Sequence, residues 1–566
     1  MLTAEFQRGS FMAFDVTSLY NRRADDRWNR ICVSDLVERL TWSVPDATAI
    51  AGWPGAFGDP RFARLTFAEL DALTSQVANA LLARGLHRGD RVAMVCENSV
   101  EGYAFKLGVA KAGMVAAPIN PAMAPDVVRY LIDRVQPRMC VVDADIWAAA
   151  PEQWRGAGVS PDVAVEIGGP APEGSESFSH FVSGVSETAP DTTIHGDDIY
   201  EILFTSGTTA MPKGVMCSHA ASTLAAHGFA LTLTRGVPFE GAVKVASFLP
   251  MMYHVGHQIF LLAAFAAGGS AVIGRRPDPV ATADCIEHER STALWGGSPA
   301  MLGALRQELD AHPRDVSSLR IAVYGWAALP PAVLAGLRAH CPQLTVTEIF
   351  GQTESIACHR FWPDQHRDLY ERTAPQNNYV GAPSPLLASQ IVDPEGVSLL
   401  GQDGVPGEAV YRSPVTTAGY YLDEAATREA FRDGWFHSGD SCSYGESGQR
   451  VMVDRYKDIV KSGGENVSTI RVESALHLHP AVAKAAVIGV PDERWGERVA
   501  AFVVLAEDAA VTEEELIAFA RERLAGFETP KTVRFVDALP ETVGGKVMKY
   551  KLRRQYASAT EASGRH

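Results

Sequence analysis

Four hydroxyls and a glycine occupy five consecutive residues of this chain, with a cation four residues on. "LFTSGTTAMPKGVMCSH", Leu203–His219, sets Thr205, Ser206, Gly207, Thr208 and Thr209 ahead of Lys213. Hydroxyls, bare backbone N–H groups and an ammonium are the donors that a phosphate group needs. The spacing is not that of the Walker loop, G-x-x-x-x-G-K-[ST]. Pro212 stands where the second glycine would be, and Gly214 where a hydroxyl residue would follow the lysine. Composition alone leaves a plain polar turn as an equal reading, since Ser, Thr and Gly clusters mark loops.

The stretch has companions. "FGQTE" (Phe350–Glu354) follows a predicted strand, and "GWFHSGD" (Gly434–Asp440) ends in a carboxylate beside a glycine. "DRYKDIVKSGGENV" (Asp454–Val467) lies where the texture of the chain changes, and "PETVGGK" (Pro540–Lys546) puts a lysine on a glycine loop near the C-terminus. Taken singly these are weak: a lone loop carboxylate is commonly just solvated, and a terminal lysine commonly serves solubility. In this order, from about Arg64 to Arg553, they resemble the acyl- and aryl-CoA synthetases. That family belongs to the adenylate-forming superfamily, with luciferases and the adenylation domains of peptide synthetases.

The resemblance implies a set of roles. A carboxylate must attack the α-phosphate of ATP, anion against anion, so cations and donors must neutralise the developing charge. Thr205 to Lys213 would wrap the β- and γ-phosphates. Glu354 would hold Mg²⁺, a hard cation that prefers oxygen, and Thr353 would bond the α-phosphate. Phe350 would lie on adenine, Asp440 would accept from the ribose hydroxyls, and Arg455 would add a forked donor. Lys546 would contact the acid's carboxylate and the bridging oxygen during adenylation. His254, in "PMMYHVGH", would stand beside the carboxylate, with Gly325, Trp326 and Gly351 around the acid; His257 reads as an ordinary helix residue. For the second step, onto coenzyme A, the small domain would turn about Lys457 and bring Gly463 and Gly464 against the pantetheine arm, where bare backbone leaves room.

Three departures from the family pattern are visible. Ala210 replaces a usual glycine in "SGTTAMPKG", which costs about 1 kcal/mol if φ must be positive there. Ser413 replaces another glycine in "VYRSPVTTAGYY", with little expected effect. "VYGWAALP" (Val323–Pro330) puts Trp326 where a small glycine normally borders the acid pocket, and Tyr324 where serine is usual. An indole there argues against a plain long-chain fatty acid and for a compact or ringed one.

The elements that must carry these residues can be read from pattern. Thr66 and Glu69 form a capping box, which predicts a helix stopping at Gly85. Arg91–Cys96, Met114–Ile119 and Met139–Asp143 read as strands, with a helix over Glu101–Ala112. A second alternating series runs through Val243–Phe248, a helix over 259–267, Ser270–Ile273, a helix around Val280–Glu289, Thr292–Trp295, Arg320–Tyr324, a helix from Pro330, and Thr345–Phe350. Two βαβ series predict two abutting α/β subdomains with ligands at their junction. From Pro383 to Arg450 glycine, proline and short β-like pieces predict a small β-rich subdomain. Beyond Asp454, Lys484–Val490 and Arg498–Leu505 read as paired strands. A second capping box, Thr512 and Glu515, opens a helix ending at Gly526, and Thr532–Val536 reads as a last strand. The expected architecture is α/β: a large ATP- and acid-binding domain over 1–454, then a small mobile α+β lid over 455–566.

Composition narrows the partners. Lys and Arg total 51 against 67 Asp and Glu, a net charge of −16, which disfavours nucleic acid. The eight cysteines are scattered, without paired metal spacing. Glu5, Arg8 and Asp15 interrupt any secretory leader, and Met12 offers a second start, which would make residues 1–11 dispensable. Gly268–Ser270 break the greasiest run, Ile259–Ile273, into pieces too short for a bilayer. A soluble cytoplasmic enzyme, with a homodimer possible, is the expectation. Two other outcomes stay open: transfer of the activated acyl group to an amine or a carrier-protein thiol, and an inactive nucleotide binder. The last would be expected to have lost Lys213, Glu354 or Lys546, and all three are present.

Overall fold

The computed structural model describes residues 30–205, 211–356, 358–462, 465–492, 494–507, 509–541 and 547–563, with side chains to 556. The first βαβ series forms a seven-stranded sheet in the order Glu176–Ser177, Val163–Val165, Met139–Asp143, Arg91–Val95, Val115–Pro118, Ile199–Phe204, Gly214–Ser218. Its pairings are parallel up to the last, where Ile199–Phe204 and Gly214–Ser218 run antiparallel and flank the predicted phosphate loop. Helix Phe67–Ala83 opens on the capping box, both reciprocal Thr66–Glu69 bonds being present, and Gly85 follows its end at φ 76°.

The second series is the core of a 14-stranded sheet. Its parallel part runs Thr48–Gly52, Ser270–Ile273, Lys244–Ser247, Ala293–Gly297, Ile321–Gly325, Thr345–Phe350. Thr48–Gly52 and its antiparallel neighbour Arg64–Thr66 were not foreseen. They precede the first series in sequence yet pair with the second sheet. The region expected as a small β-rich subdomain is β-rich, and its strands join this sheet at the edge of Thr345–Phe350. His359–Phe361 links Thr345–Phe350 to Asn378–Pro383, and Arg450–Arg455, Trp435–Tyr444, Gly407–Arg412 and Ala388–Val392 follow. The open edge of Thr345–Phe350 is thereby paired rather than left exposed.

The two sheets are tied together by buried polar groups. Every residue of helix Val100–Lys111 is buried. Its Lys106 ion-pairs with Glu201 on the strand entering the phosphate loop, and its ammonium also donates to Met251 O at 3.1 Å. Gln258 Nε2 donates to Glu201 at 3.3 Å and to the Tyr200 hydroxyl at 3.1 Å. Gln258 lies on a π-helix, Val255–Leu261, which passes into an α-helix over Leu262–Ala266. The helix expected over 259–267 therefore starts earlier and is partly π. The run over 259–267 is all apolar and carries no period from which the extra residue per turn could be read, and the polar His257 and Gln258 before it are buried. His257, expected as an ordinary helix residue, is fully buried, edge-on to Tyr103 at 5.6 Å.

Sheet membership changes between Arg455 and Val460. The last sheet runs Glu465–Val467, Val460–Ser462, Gly496–Leu505, Val482–Asp492, with Thr532–Phe535 parallel to Gly496–Leu505. The second capping box opens helix Glu513–Arg521. It ends at Arg521, short of Gly526, and the Arg523 side chain donates to Phe519 O at 2.9 Å, satisfying a terminal carbonyl. All eight cysteines are free and buried. Among the described residues no helix is long and apolar enough to cross a membrane.

Candidate active site

The phosphate stretch is pinned at its neck. Thr205 N–H donates to Lys213 O at 3.0 Å, and Lys213 N–H donates to Thr205 Oγ1 at 3.3 Å. Ser206, Gly207, Thr208, Thr209 and Ala210 lie outside the described residues. Lys213 Nζ stands 4.6 Å from the centre of the Tyr420 ring, a cation–π contact. The Tyr420 hydroxyl donates to Glu354 Oε1 at 2.9 Å, so phenol, ammonium and carboxylate form one chain. Thr417 braces it: its N–H donates to Glu354 O at 2.7 Å and its hydroxyl to Met216 O at 2.6 Å. Tyr421 N–H adds a bond to Gly214 O at 2.7 Å. The segment 417–421 thus joins the strand leaving the phosphate stretch to the loop bearing Glu354.

That loop follows strand Thr345–Phe350 and supplies the next contacts. Gln352 Nε2 donates to Asp440 Oδ2 at 2.5 Å and to Ser438 O at 2.8 Å. Asp440 is buried, 1% exposed, yet its Oδ1 makes no hydrogen bond. Arg455 Nε stands 3.1 Å away, an ion-pair contact of poor hydrogen-bond geometry. Asp440, the largest influence on Arg455, raises the guanidinium pKa. A buried carboxylate oxygen with spare acceptor capacity suits a hydroxyl-bearing ligand. The Thr353 hydroxyl and His254 Nδ1 lie 3.1 Å apart. Burial pushes the His254 imidazole down to about 4, so it is neutral near pH 7. Phe350 has its ring 5.9 Å from that of His359, and Gly351 beside it is exposed. Glu354 is one carboxylate, and no group of three or more acidic, His or Cys residues fit for a metal occurs among the described residues. A hard cation held there would need further oxygens from a phosphate ligand.

On the acid side, strand Ile321–Gly325 ends at Gly325, where a Cβ would come within 2.8 Å of Ile349 O. Trp326 follows in the left-handed region, φ 72°, and 44% exposed. Its indole lies 5.5 Å from Trp295, which stacks on Phe260 at 4.8 Å. A large non-glycine residue in that conformation costs about 1–2 kcal/mol.

Lys457 is exposed, while Gly463, Gly464 and Lys546 lie outside the described residues. Three positions past Lys546, Lys549 is locked in. It ion-pairs with Glu473 at 2.8 Å and donates to Thr469 Oγ1 at 2.5 Å. Thr469 in turn donates to Asp454 Oδ2 at 2.6 Å through both N–H and hydroxyl. The base of the terminal glycine loop is so fastened to the strand that precedes Lys457.

The structure brings Thr205, Lys213, Glu354, Thr353, His254, Asp440 and Arg455 into three sets of contacts that start from the consecutive residues Gln352, Thr353 and Glu354, with Phe350, Gly351, Gly325 and Trp326 on the adjoining strand ends. Sequence reading missed Gln352, Thr417 and Tyr420. In "VYRSPVTTAGYY" only Ser413 departs from the family pattern, so nothing in the sequence singles out Thr417 or Tyr420. Ser413 is itself occupied, its hydroxyl donating to Leu386 O at 2.6 Å.

Two family models match the chain. An AMP-binding enzyme model matches residues 41–421, and the AMP-binding enzyme C-terminal domain matches 471–546. Feruloyl-CoA synthase of an Amycolatopsis species is 32% identical over 502 residues, 87% of this chain and 94% of its own. Long-chain-fatty-acid–CoA ligase FadD13 of Mycobacterium tuberculosis is 30% identical over 529 residues, 92% and 99% of the two chains. The solved structure of the anthranilate CoA ligase AuaEII with anthranoyl-AMP superposes with a TM-score of 0.81 at 25% identity, covering 94% of this chain and 98% of that one. The chain therefore belongs to the AMP-binding enzyme family, and within it to the AMP-forming acid–CoA ligases.

Proposed function

We propose that the chain joins a compact or ringed carboxylic acid to coenzyme A in two steps, with the large domain over 1–454 holding ATP and acid and residues 455–566 acting as a lid. In the first step a carboxylate oxygen bonds to the α-phosphorus and the bond to pyrophosphate breaks. In the second the CoA sulfur, its proton lost, bonds to the acyl carbon and AMP leaves. The observation that carries the reading is the chain Lys213–Tyr420–Glu354, beside Thr353–His254 and Gln352–Asp440–Arg455. Donors, one acidic ligand and a carboxylate acceptor are thus met from three consecutive loop residues, Gln352, Thr353 and Glu354. Thr205–Thr209 and Lys213 hold the terminal phosphates, and Glu354 would hold Mg²⁺, which would neutralise charge on the phosphate oxygens. Thr353 bonds the α-phosphate, Phe350 covers adenine, and Asp440 takes the ribose. Neutral His254 can donate to the acid's carboxylate without adding a charge, and Lys546 contacts it in the adenylating arrangement. Turning about Lys457 then exchanges Lys546 for Gly463 and Gly464, past which the pantetheine arm lies.

The relatives named for ferulate and anthranilate, and Trp326 backed by Trp295, support a ringed or compact acid. A carboxylic-acid panel tests the reading, with pyrophosphate measured in the presence and absence of CoA and thioester measured directly. Acid-dependent pyrophosphate with CoA-dependent thioester is expected. No acid-dependent pyrophosphate overturns the reading, and pyrophosphate without thioester replaces CoA by another acceptor.

A further inference from the structure

Lys213 and Glu354 carry opposite charges, and both rest on one neutral side chain. The Lys213 ammonium stands 4.6 Å from the centre of the Tyr420 ring, and the Tyr420 hydroxyl donates to Glu354 Oε1 at 2.9 Å. The ammoniums of Lys106, Lys111 and Lys244 each find a carboxylate. Among the described residues no ion pair joins Lys213 to Glu354, although a single ring separates them. Arg455, which also feels the Glu354 charge, is taken up by Asp440 at 3.1 Å.

The ring is placed by the backbone, not by the two charges it meets. Tyr420 is 7% exposed and bridges antiparallel to Val215, two residues past Lys213. Its N–H donates to Thr427 Oγ1 at 2.9 Å, on helix Glu424–Ala430. Gly419 before it lies at φ 132°, where a Cβ would come within 2.7 Å of Thr427 Cγ2. Thr417, three residues earlier, donates its N–H to Glu354 O at 2.7 Å. The segment thus meets the strand after Lys213 and the loop of Glu354 at once. Unlike charges this near each other and partly withdrawn from water attract strongly, and a direct pair would take both from any ligand. A ring face holds an ammonium without neutralising it, and a phenol meets a carboxylate oxygen with an uncharged donor.

We propose that Tyr420 is a positioning residue that works as a spacer: it keeps Lys213 and Glu354 from pairing with each other, so that the ammonium stays available to the phosphates of ATP and the carboxylate to the cation that accompanies them. This rests on the nucleotide reading of the site and concerns only what holds its two charges apart.

The test is equilibrium binding of ATP without divalent cation, measured by calorimetry in EDTA. The proteins are wild type, Tyr420→Phe, Tyr420→Leu, Glu354→Gln and Tyr420→Leu/Glu354→Gln. Tyr420→Phe keeps the ring face and should bind ATP nearly as wild type does. Tyr420→Leu lets the carboxylate capture the ammonium and should weaken binding about ten- to hundredfold, the worth of a bond from a charged donor. Taking the carboxylate away as well releases Lys213, so the double variant should bind ATP as Glu354→Gln does, and that recovery shows that the leucine is tolerated by the fold. A merely structural loss at Tyr420 would persist in the double variant. A double variant as weak as Tyr420→Leu overturns the spacing, as does a Tyr420→Phe as weak as Tyr420→Leu, or a Tyr420→Leu that binds like wild type. The expected binding pattern in a protein that releases no acid-dependent pyrophosphate sinks the ligase reading and keeps the spacing. Acid-dependent pyrophosphate from wild type together with any of the overturning results removes the spacing alone.

Discussion

His219 begins the helix that follows the phosphate stretch, and it can be used as an internal pH gauge. Its ring is 1% exposed, stacks on Tyr200 at 4.9 Å, and accepts from Val33 N–H at 3.2 Å through Nδ1. Burial pushes it from an ordinary value of 6.5 down to about 3; nearby Asp198 opposes this and Arg30 reinforces it. Because the folded value is depressed, the native state refuses a proton that the unfolded chain accepts below pH 6.5. Stability from this group is intact above 6.5 and is lost as the pH falls. At pH 5 the gap is about 1.5 pH units, and at 1.36 kcal/mol per unit the loss is about 2 kcal/mol. His219→Gln keeps an acceptor for Val33 but cannot titrate. Urea unfolding of both proteins at pH 7 and pH 5, at fixed ionic strength, gives a double difference in which all shared groups cancel. The stability gap between wild type and variant should shrink by about 2 kcal/mol at pH 5. A double difference under about 0.5 kcal/mol would mean that the imidazole titrates normally, and the argument from burial would fail.

Lys106→Met leaves Glu201 charged and unpaired at 0% exposure. It should cost about 3–5 kcal/mol in urea unfolding, and Lys106→Met/Glu201→Leu should recover most of that loss; a double variant as weak as the single would refute the pairing. Lys546→Ala should lower acid-dependent pyrophosphate release by about two to three powers of ten. It should spare thioester formation from supplied acyl-adenylate, and equal losses in both half-reactions would remove the assignment. Lys457→Pro fixes φ near −65° and should leave adenylation while blocking transfer to CoA; retention of both steps would put the hinge elsewhere. Trp326→Gly relieves a positive φ and opens space beside Trp295. The preferred acid should fall about ten- to hundredfold in kcat/KM while bulkier acids gain, and an unchanged rank order would place the indole outside the acid's reach.

What could be read from sequence follows from how local each signal is. The capping boxes at Thr66 and Thr512 involve residues three apart, and both helices begin where those boxes put them. The second ends at Arg521, earlier than the glycine suggested. The placement of Thr48–Gly52 beside Ser270–Ile273 is a pairing across more than two hundred residues, which no local period encodes. The same holds within the site. Thr205, Lys213, Thr353, Glu354 and Asp440 sit in ordered motifs and could be picked out. Tyr420 and Thr417 matter because their segment bridges to Val215 and Met216, and Gln352 because Asp440 lies opposite it. The π-helix was hidden because its residues are apolar or buried on every side.

The buried cysteines give the chain a property that its chemistry does not require. All eight thiols, from Cys32 to Cys442, precede Arg455, and every one is shielded from solvent. A thiol reagent added to the folded protein should find nothing to modify until a strand or helix before Arg455 opens. A movement confined to the residues after Arg455, such as the turn proposed about Lys457, would expose no sulfur of its own, since none lies there. Labelling rates, resolved peptide by peptide, would act as eight clocks on the breathing of the large body, blind to the motion of the small one. A ligand that slowed Cys217 and Cys358 but not Cys140 would announce where it had bound without any label being engineered.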